Sequence, residues 1–304
     1  MYDCIIIGSG PAGLSAAVYA KRAGLDLLVL EKNYISGGQV LDTYEVDNYL
    51  GLPGISGFDL GDAFRKHADK LGVEFKEAEV LSIEDKGDFK EIVTKKEVYT
   101  TKTVILATGA VHAHLGVPGE EELAGMGVSY CATCDGAFFK NRVVAVVGGG
   151  DVALEDAIYL ARGCEKVYLI HRRDELRGTK VLQKELMELK NVEILYSHVT
   201  EEILGDDAVT GIRLKNLKDQ SVKDVEVAGV FVAVGIHPNS ELIQKETPCD
   251  EGGYILAGED CATQIPGVFV AGDIRKKPIR QIVTAVADGA NAAVSAGNYL
   301  SGKA

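Results

Sequence analysis

Ile5-Ile6-Ile7-Gly8-Ser9-Gly10-Pro11-Ala12-Gly13-Leu14-Ser15-Ala16-Ala17-Val18-Tyr19-Ala20 decides the fold. It reads as a buried strand, a glycine turn and a helix. In this G-x-G-x-x-G run Gly8 makes the turn, Gly10 lets backbone approach a pyrophosphate, and Gly13 packs the helix on the strand. The helix N-terminus, entered through Pro11 and Ala12, then faces phosphates. A second strand, Leu27 to Leu30, ends at Glu31, placed to accept a hydrogen bond from a ribose hydroxyl.

The pattern returns. Val143-Val144-Ala145-Val146-Val147 leads into Gly148-Gly149-Gly150-Asp151-Val152-Ala153, and the next strand is Lys166 to Ile170. Glu31 lies 23 residues after Gly8, and His171 lies 23 after Gly148, so the two units superpose in register. One such motif is weak; two with matching strands, helices and offsets are strong. The residues at the end of the second unit's second strand differ in kind from Glu31. The chain there reads His171-Arg172-Arg173-Asp174-Glu175-Leu176-Arg177. An acid there would repel a 2′-phosphate, whereas guanidinium groups pair with one in bidentate fashion. The first site therefore suits a dinucleotide with a free ribose, such as FAD, and the second suits NADPH.

The strand ends set the domain order. Val104 to Gly109 closes the first unit and Val230 to Gly235 the second. After Gly235 comes the breaker-rich Ile236-His237-Pro238-Asn239-Ser240. Gly267 to Asp273 is a buried strand ending in an acid, and a helix is expected over about 282–300. That tail is too short to form a domain alone and most simply completes the first. The chain is read as α/β, with two Rossmann-like dinucleotide-binding domains of the three-layer ββα type. An FAD domain of 1–113 and 238–304 is interrupted by an NADPH domain of 114–237. Lys86-Gly87-Asp88 and Lys218-Asp219-Gln220 read as polar hairpin turns.

Between the two fingerprints lies Ser129-Tyr130-Cys131-Ala132-Thr133-Cys134-Asp135-Gly136. A C-x-x-C pair can open and close a disulfide, and its surroundings can hold one thiol as the attacking thiolate. Half a zinc site looks the same, but the chain has no second C-x-x-C and no H-x₃₋₅-H beyond it, so redox use is favoured and no metal is expected. Cys4, Cys164, Cys249 and Cys261 are scattered, which suits a reducing cytoplasm better than a disulfide-stapled scaffold. A net charge of −13 argues against nucleic acid and anionic membranes. Neither a secretory signal nor a membrane span is expected.

These segments, with Gly37-Gly38-Gln39, Ala107-Thr108-Gly109 and Arg280-Gln281, resemble the small, homodimeric thioredoxin reductases of bacteria over essentially the whole length. The Cys-Ala-Thr-Cys-Asp segment is specific among related flavoproteins. The resemblance implies bound FAD, NADPH as donor, thioredoxin as acceptor and a homodimer. It implies that Cys134 is the thiol nearest the flavin, that Cys131 forms the mixed disulfide with thioredoxin, and that Asp135 passes protons. Asp273 and Gln281 look like contacts to the FAD ribityl-phosphate and flavin ring. Gly38, Gln39, Asn48, Gly109, Gly272 and Arg280 are similarly placed on the FAD side. Gly148, Gly150, Asp151, Ala153, His171, Arg172, Arg173 and Arg177 make up the NADPH side.

One segment departs from the family. After Ala110 the chain reads Val111-His112-Ala113-His114, where the family often has a small-polar, Arg-containing stretch. Two other readings compete with an NADPH-dependent thioredoxin reductase. One keeps flavin and dithiol but takes electrons from ferredoxin or runs as a dithiol oxidase; the other is a non-enzymatic redox sensor. Arg172, Arg173 and Arg177 argue against a lost 2′-phosphate site.

Overall fold

A computed structural model describes residues 1–43 and 45–302. The chain divides into two compact units, 1–111 with 237–304, and 112–236. The expected FAD domain ends at residue 304; residues 303 and 304 lie outside those described.

The first unit opens with β1 (Tyr2–Ile7), α1 (Pro11–Arg22) and β2 (Leu27–Glu31). Then come α2 (Gly57–Lys70), β3 (Glu74–Glu77), β4 (Val80–Asp85), β5 (Lys90–Thr94), β6 (Val98–Leu106) and the short β7 (Ala110–His112). β1 is buried on both faces, with Cys4, Ile5 and Ile6 fully covered, so it reads as a continuous apolar run and not as an alternating one. It pairs in parallel with β2 on one side and with the C-terminal half of β6 on the other. The N-terminal half of β6 turns antiparallel with β5, which pairs with β4. One sheet thus carries a parallel half and an antiparallel extension.

The second unit repeats the plan. It contains β8 (Val128–Ser129), α3 (Ala132–Asp135), β9 (Val143–Gly148), α4 (Asp151–Ala161), β10 (Lys166–His171), α5 (Lys180–Glu188) and β11 (Val192–Tyr196). Next in the chain are β12 (His198–Gly205), β13 (Val209–Asn216), β14 (Val222–Glu226), β15 (Gly229–Ala233) and β16 (Ile236–Pro238). The parallel sheet runs β11-β10-β9-β15-β8, and β12-β13-β14 form a separate antiparallel sheet. The β4–β5 and β13–β14 turns fall where the polar runs were expected, with Gly87 and Gln220 at positive φ.

The first unit resumes at residue 237 and is completed by β17 (Val268–Val270), parallel to β6, and α6 (Ile282–Leu300). α6 packs along α1 through small residues, Ala12, Ala16, Ala17 and Ala20 meeting Ala285, Ala292, Ala293 and Ala296 in one core. Small side chains let the two backbones approach, and the Ser15 hydroxyl donates to the Val286 carbonyl at 2.7 Å. No described helix is long and apolar enough to cross a membrane.

Candidate functional site

Gly8 sits at φ +101°, and a Cβ there would lie 2.4 Å from the Ala107 carbonyl oxygen. Only glycine fits this turn, because other residues would be strained and would clash with the neighbouring strand. Pro11 stands in the first turn of α1, where its missing N–H costs nothing. Gly10 is the helix N-cap, with no side-chain cap and no acid in the first turn. The first backbone N–H groups of α1 are thus left for an anion. A Cβ on Gly10 would meet only Gly37 and Gly38, at 3.9 Å, so the space before the helix is open.

The expected FAD-side residues border that turn or cluster in two further groups. Glu31, at the end of β2, accepts from the Ser9 N–H and Ser9 hydroxyl, both at 2.8 Å, and from the Asn33 N–H at 2.9 Å. A carboxylate has about four acceptor positions, so one is left over. Gln39 donates its amide to the Ala110 carbonyl. The Asn48 amide donates to Gln281 at 3.0 Å, and the Gln281 side chain caps α6 together with Thr284. Gly109 and Gly272 both take positive φ. Two buried atoms in the stretch before α6, Asp273 Oδ1 and Arg280 Nε, find no partner among the described residues. The Arg280 guanidinium lies over the Tyr254 ring at 3.7 Å. Burial raises the Asp273 carboxyl, against the opposing pull of Lys277 and Arg280. An orphaned acceptor, an orphaned donor and an open helix N-terminus are what a dinucleotide with phosphates and hydroxyls would satisfy. The residues present therefore fit FAD.

Sequence reasoning overlooked Ser9, which ties Glu31 to the glycine turn, and it overlooked Asp288. The Asp288 carboxylate is buried and accepts from the Gly272 N–H at 3.0 Å, from Arg275 at 2.7 and 3.1 Å, and from Lys277. It thereby holds the turn that carries Asp273. Its signal was legible: an acid four residues before Ala292 and three after Ala285, on the buried face of an alanine-rich helix.

In the second unit α4 begins at Asp151, with Gly150 as N-cap and nothing within 4 Å of a Cβ placed there. The Asp151 carboxylate accepts the Thr179 N–H at 2.7 Å, fastening the loop after β10 to the helix start. Ala153 is fully buried under the strand. His171 is also buried; its Nε2 lies 3.0 Å from the Glu175 carbonyl, and a Cβ on Gly149 would fall 2.2 Å from its ring. Burial lowers its pKa, backbone hydrogen bonds opposing, and the ring stands as a wedge beneath the glycine turn. Arg172, Arg173 and Arg177 are exposed on the same loop, and none has an ion-pair partner among the described residues. The Arg177 N–H donates to the Gly149 carbonyl at 2.7 Å, which fixes the loop to the second fingerprint. An open glycine N-cap beside unpaired guanidinium groups fits a phosphorylated dinucleotide.

Cys131 and Cys134 form a disulfide with a Cα–Cα distance of 5.3 Å, at the start of α3. The other four cysteines are free. The Thr133 hydroxyl lies 3.5 Å from Cys131 Sγ. Ser129, quoted in the motif but given no role, donates its hydroxyl to Asp135 Oδ2 at 2.6 Å and accepts the Cys131 N–H at 3.1 Å. Burial raises the Asp135 carboxyl above its ordinary value, and the Ser129 bond offsets part of this. An acid that keeps its proton to higher pH, one residue from a redox disulfide, can hand protons to thiolates as they form.

The profile of the pyridine nucleotide-disulphide oxidoreductase family matches residues 2–289. A thioredoxin reductase of Listeria innocua is 44 % identical, covering 99 % of this chain and 94 % of its own. One from Bacillus subtilis is 41 % identical, covering 99 % and 95 %. The crystal structure of thioredoxin reductase from Streptococcus pyogenes superposes with a TM-score of 0.96 at 43 % identity, covering 99 % of both chains. Likeness of this extent and identity makes the chain a member of the pyridine nucleotide-disulphide oxidoreductase family, in its thioredoxin reductase branch.

Proposed function

We infer that this protein is an NADPH-dependent thioredoxin-disulfide reductase that carries electrons from NADPH through FAD and the Cys131–Cys134 pair to the disulfide of thioredoxin. The observation that carries the reading is the Cys131–Cys134 disulfide with Asp135 held beside it by Ser129. Bound FAD supplies the two-electron link between NADPH and this disulfide. The first unit, with Gly8, Gly10, Pro11, Ala12, Gly13, Glu31, Gly38, Gln39, Asn48, Gly109, Gly272, Asp273, Arg280 and Gln281, holds FAD. The second, with Gly148, Gly150, Asp151 and Ala153 at the helix start, holds NADPH. Arg172, Arg173 and Arg177 take the 2′-phosphate, on a loop that His171 props from below.

In the reduced pair the Cys131 thiolate attacks one sulfur of the partner disulfide. The partner S–S bond breaks as the mixed disulfide forms, and the released partner thiolate takes up a proton. Cys134 then attacks Cys131 Sγ, restoring the internal disulfide and releasing the second partner thiolate, which is protonated in turn. The Thr133 hydroxyl steadies the Cys131 sulfur, and Asp135 supplies one of the protons. The protein acts as a homodimer in the cytoplasm. No feature of the second unit favours ferredoxin, oxygen or a sensing role over NADPH, since unpaired arginines at the fingerprint loop serve none of these.

Purified protein should bleach its flavin spectrum with NADPH far more readily than with NADH. Losing a bidentate Arg–phosphate contact costs about 1.5–3 kcal/mol, so Arg172→Ala with Arg177→Ala should raise KM for NADPH by about ten- to a hundred-fold. KM for NADH should barely move. Equal reduction by both donors in the parent protein rules out the NADPH assignment.

Asp135→Asn should keep FAD and slow thioredoxin reduction by on the order of 10²-fold. Because the folded protein raises the Asp135 carboxyl, it binds that proton more tightly than the unfolded chain does. The group therefore costs stability as pH rises from the unfolded value through the folded one. Asn cannot ionise, so the variant should be no less stable than the parent near neutrality. Parent-like turnover would remove Asp135 from the proton path.

A further inference from the structure

The segment that departs from the family pattern forms, within the second unit, a compact cluster around the residue before Cys131. The Tyr130 hydroxyl lies 2.9 Å from His114 Nδ1 and 3.1 Å from Glu120 Oε1. The Tyr130 ring stands 5.3 Å from each of the His112 and His114 rings. Glu120 is almost wholly buried, and its two oxygens also accept the Leu115 N–H at 2.9 Å and the Gly116 N–H at 2.7 Å. Tyr130 lies between Ser129, whose hydroxyl holds Asp135, and Cys131, whose N–H that same hydroxyl accepts. Whatever fixes Tyr130 fixes both.

We propose that Tyr130 is a positioning residue for the exchange site, its hydroxyl held by the buried Glu120 carboxylate and by His114. The proposal rests on the reading of Cys131, Cys134 and Asp135 as the exchange machinery. A tyrosine hydroxyl has one proton. If His114 Nδ1 carries a proton, Tyr130 accepts from it and donates to Glu120, and both contacts are satisfied. If the imidazole is neutral with its proton on Nε2, Tyr130 faces two acceptors and can serve one. The hold therefore needs a donor at position 114, which the ring supplies whenever Nδ1 carries the proton.

The test compares NADPH-driven thioredoxin reduction by the FAD-loaded parent, Tyr130→Phe, His114→Gln and His114→Ala, with flavin reduction by NADPH alone as control. Tyr130→Phe should lower kcat for thioredoxin about ten-fold while flavin reduction holds, since small misplacements of reacting groups are costly. The Gln amide at 114 can donate to Tyr130, so His114→Gln should keep parent turnover, whereas His114→Ala offers no donor and should lose turnover toward the Tyr130→Phe level. Parent-like turnover in Tyr130→Phe overturns the proposal. Should Tyr130→Phe fail to fold, His114→Ala at its exposed position decides, and parent-like turnover there overturns the proposal. If the parent reduces no thioredoxin, the functional reading falls. Cys131 alkylation by iodoacetamide in the chemically reduced proteins then reads the same difference between parent and Tyr130→Phe, and its absence overturns the positioning role separately.

Discussion

Cys134→Ser protein is expected to reduce no thioredoxin and yet to capture it covalently. The substitution leaves Cys131 as a lone thiol beside the Thr133 hydroxyl, at the start of α3. Offered a thioredoxin trimmed to its attacking cysteine and activated with thionitrobenzoate, Cys131 should displace the aromatic thiolate and form a stable mixed disulfide. Its release needs Cys134, which is gone. The complex should persist on a non-reducing gel and vanish with dithiothreitol. Cys131→Ser should also lose turnover, but capture should be slow or absent because the remaining thiol is the internal one. FAD content and reduction by NADPH should survive in both variants. Equal capture by the two would contradict the assignment of roles, and thioredoxin turnover by either would end the exchange scheme.

The second large effect belongs to a residue far from the cysteines in sequence. Asp288→Ala should destabilise the first unit by about 3–5 kcal/mol, the usual result of stripping one member from a buried charge cluster. Arg275 and Lys277 would be left buried with no carboxylate between them, and the Gly272 N–H would lose its acceptor. For a unit of this size the thermal midpoint should fall by roughly ten degrees. Burial alone would raise the Asp288 carboxyl, but hydrogen bonds from Arg275 and Lys277 outweigh it and hold the group below its ordinary value. A depressed carboxylate contributes stability that is complete above the unfolded value, near pH 4, and is lost as pH falls through the folded one. Parent and variant should therefore converge in acid and diverge near neutrality. Because Asp288 also braces the Gly272–Asp273 turn, FAD should bind the variant more weakly, read by flavin fluorescence. A loss below about 1 kcal/mol would mean that the cluster relaxes without its acid.

Both effects sit in a fold whose outline the linear chain already contained, and the division has a physical basis. The two fingerprints were legible because each is a local demand. A turn needing positive φ at Gly8, a proline in the first turn of α1 and a strand buried on both faces each write themselves into adjacent residues. The equal spacing to Glu31 and His171 was legible for the same reason, since one βαβ unit fixes the count. The C-x-x-C pair needed only a three-residue reach. Position in a motif nevertheless did not settle what a side chain does. His171 occupies the place of Glu31, yet it is a buried wedge under Gly149 while Glu31 grips Ser9. Asn48 and Gln281 meet across 233 positions, and Asp288 finds Gly272, Arg275 and Lys277 only once α6 is laid along α1. Ser129 and Tyr130 stood in plain sight as letters beside Cys131, and only the folded turn gave them Asp135, His114 and Glu120 as partners. Backbone conformation is decided by neighbours in the chain. The pairing of buried polar groups is decided by which distant surfaces the sheets and helices press together, because a buried charge or hydroxyl is tolerated only where the fold brings it a partner.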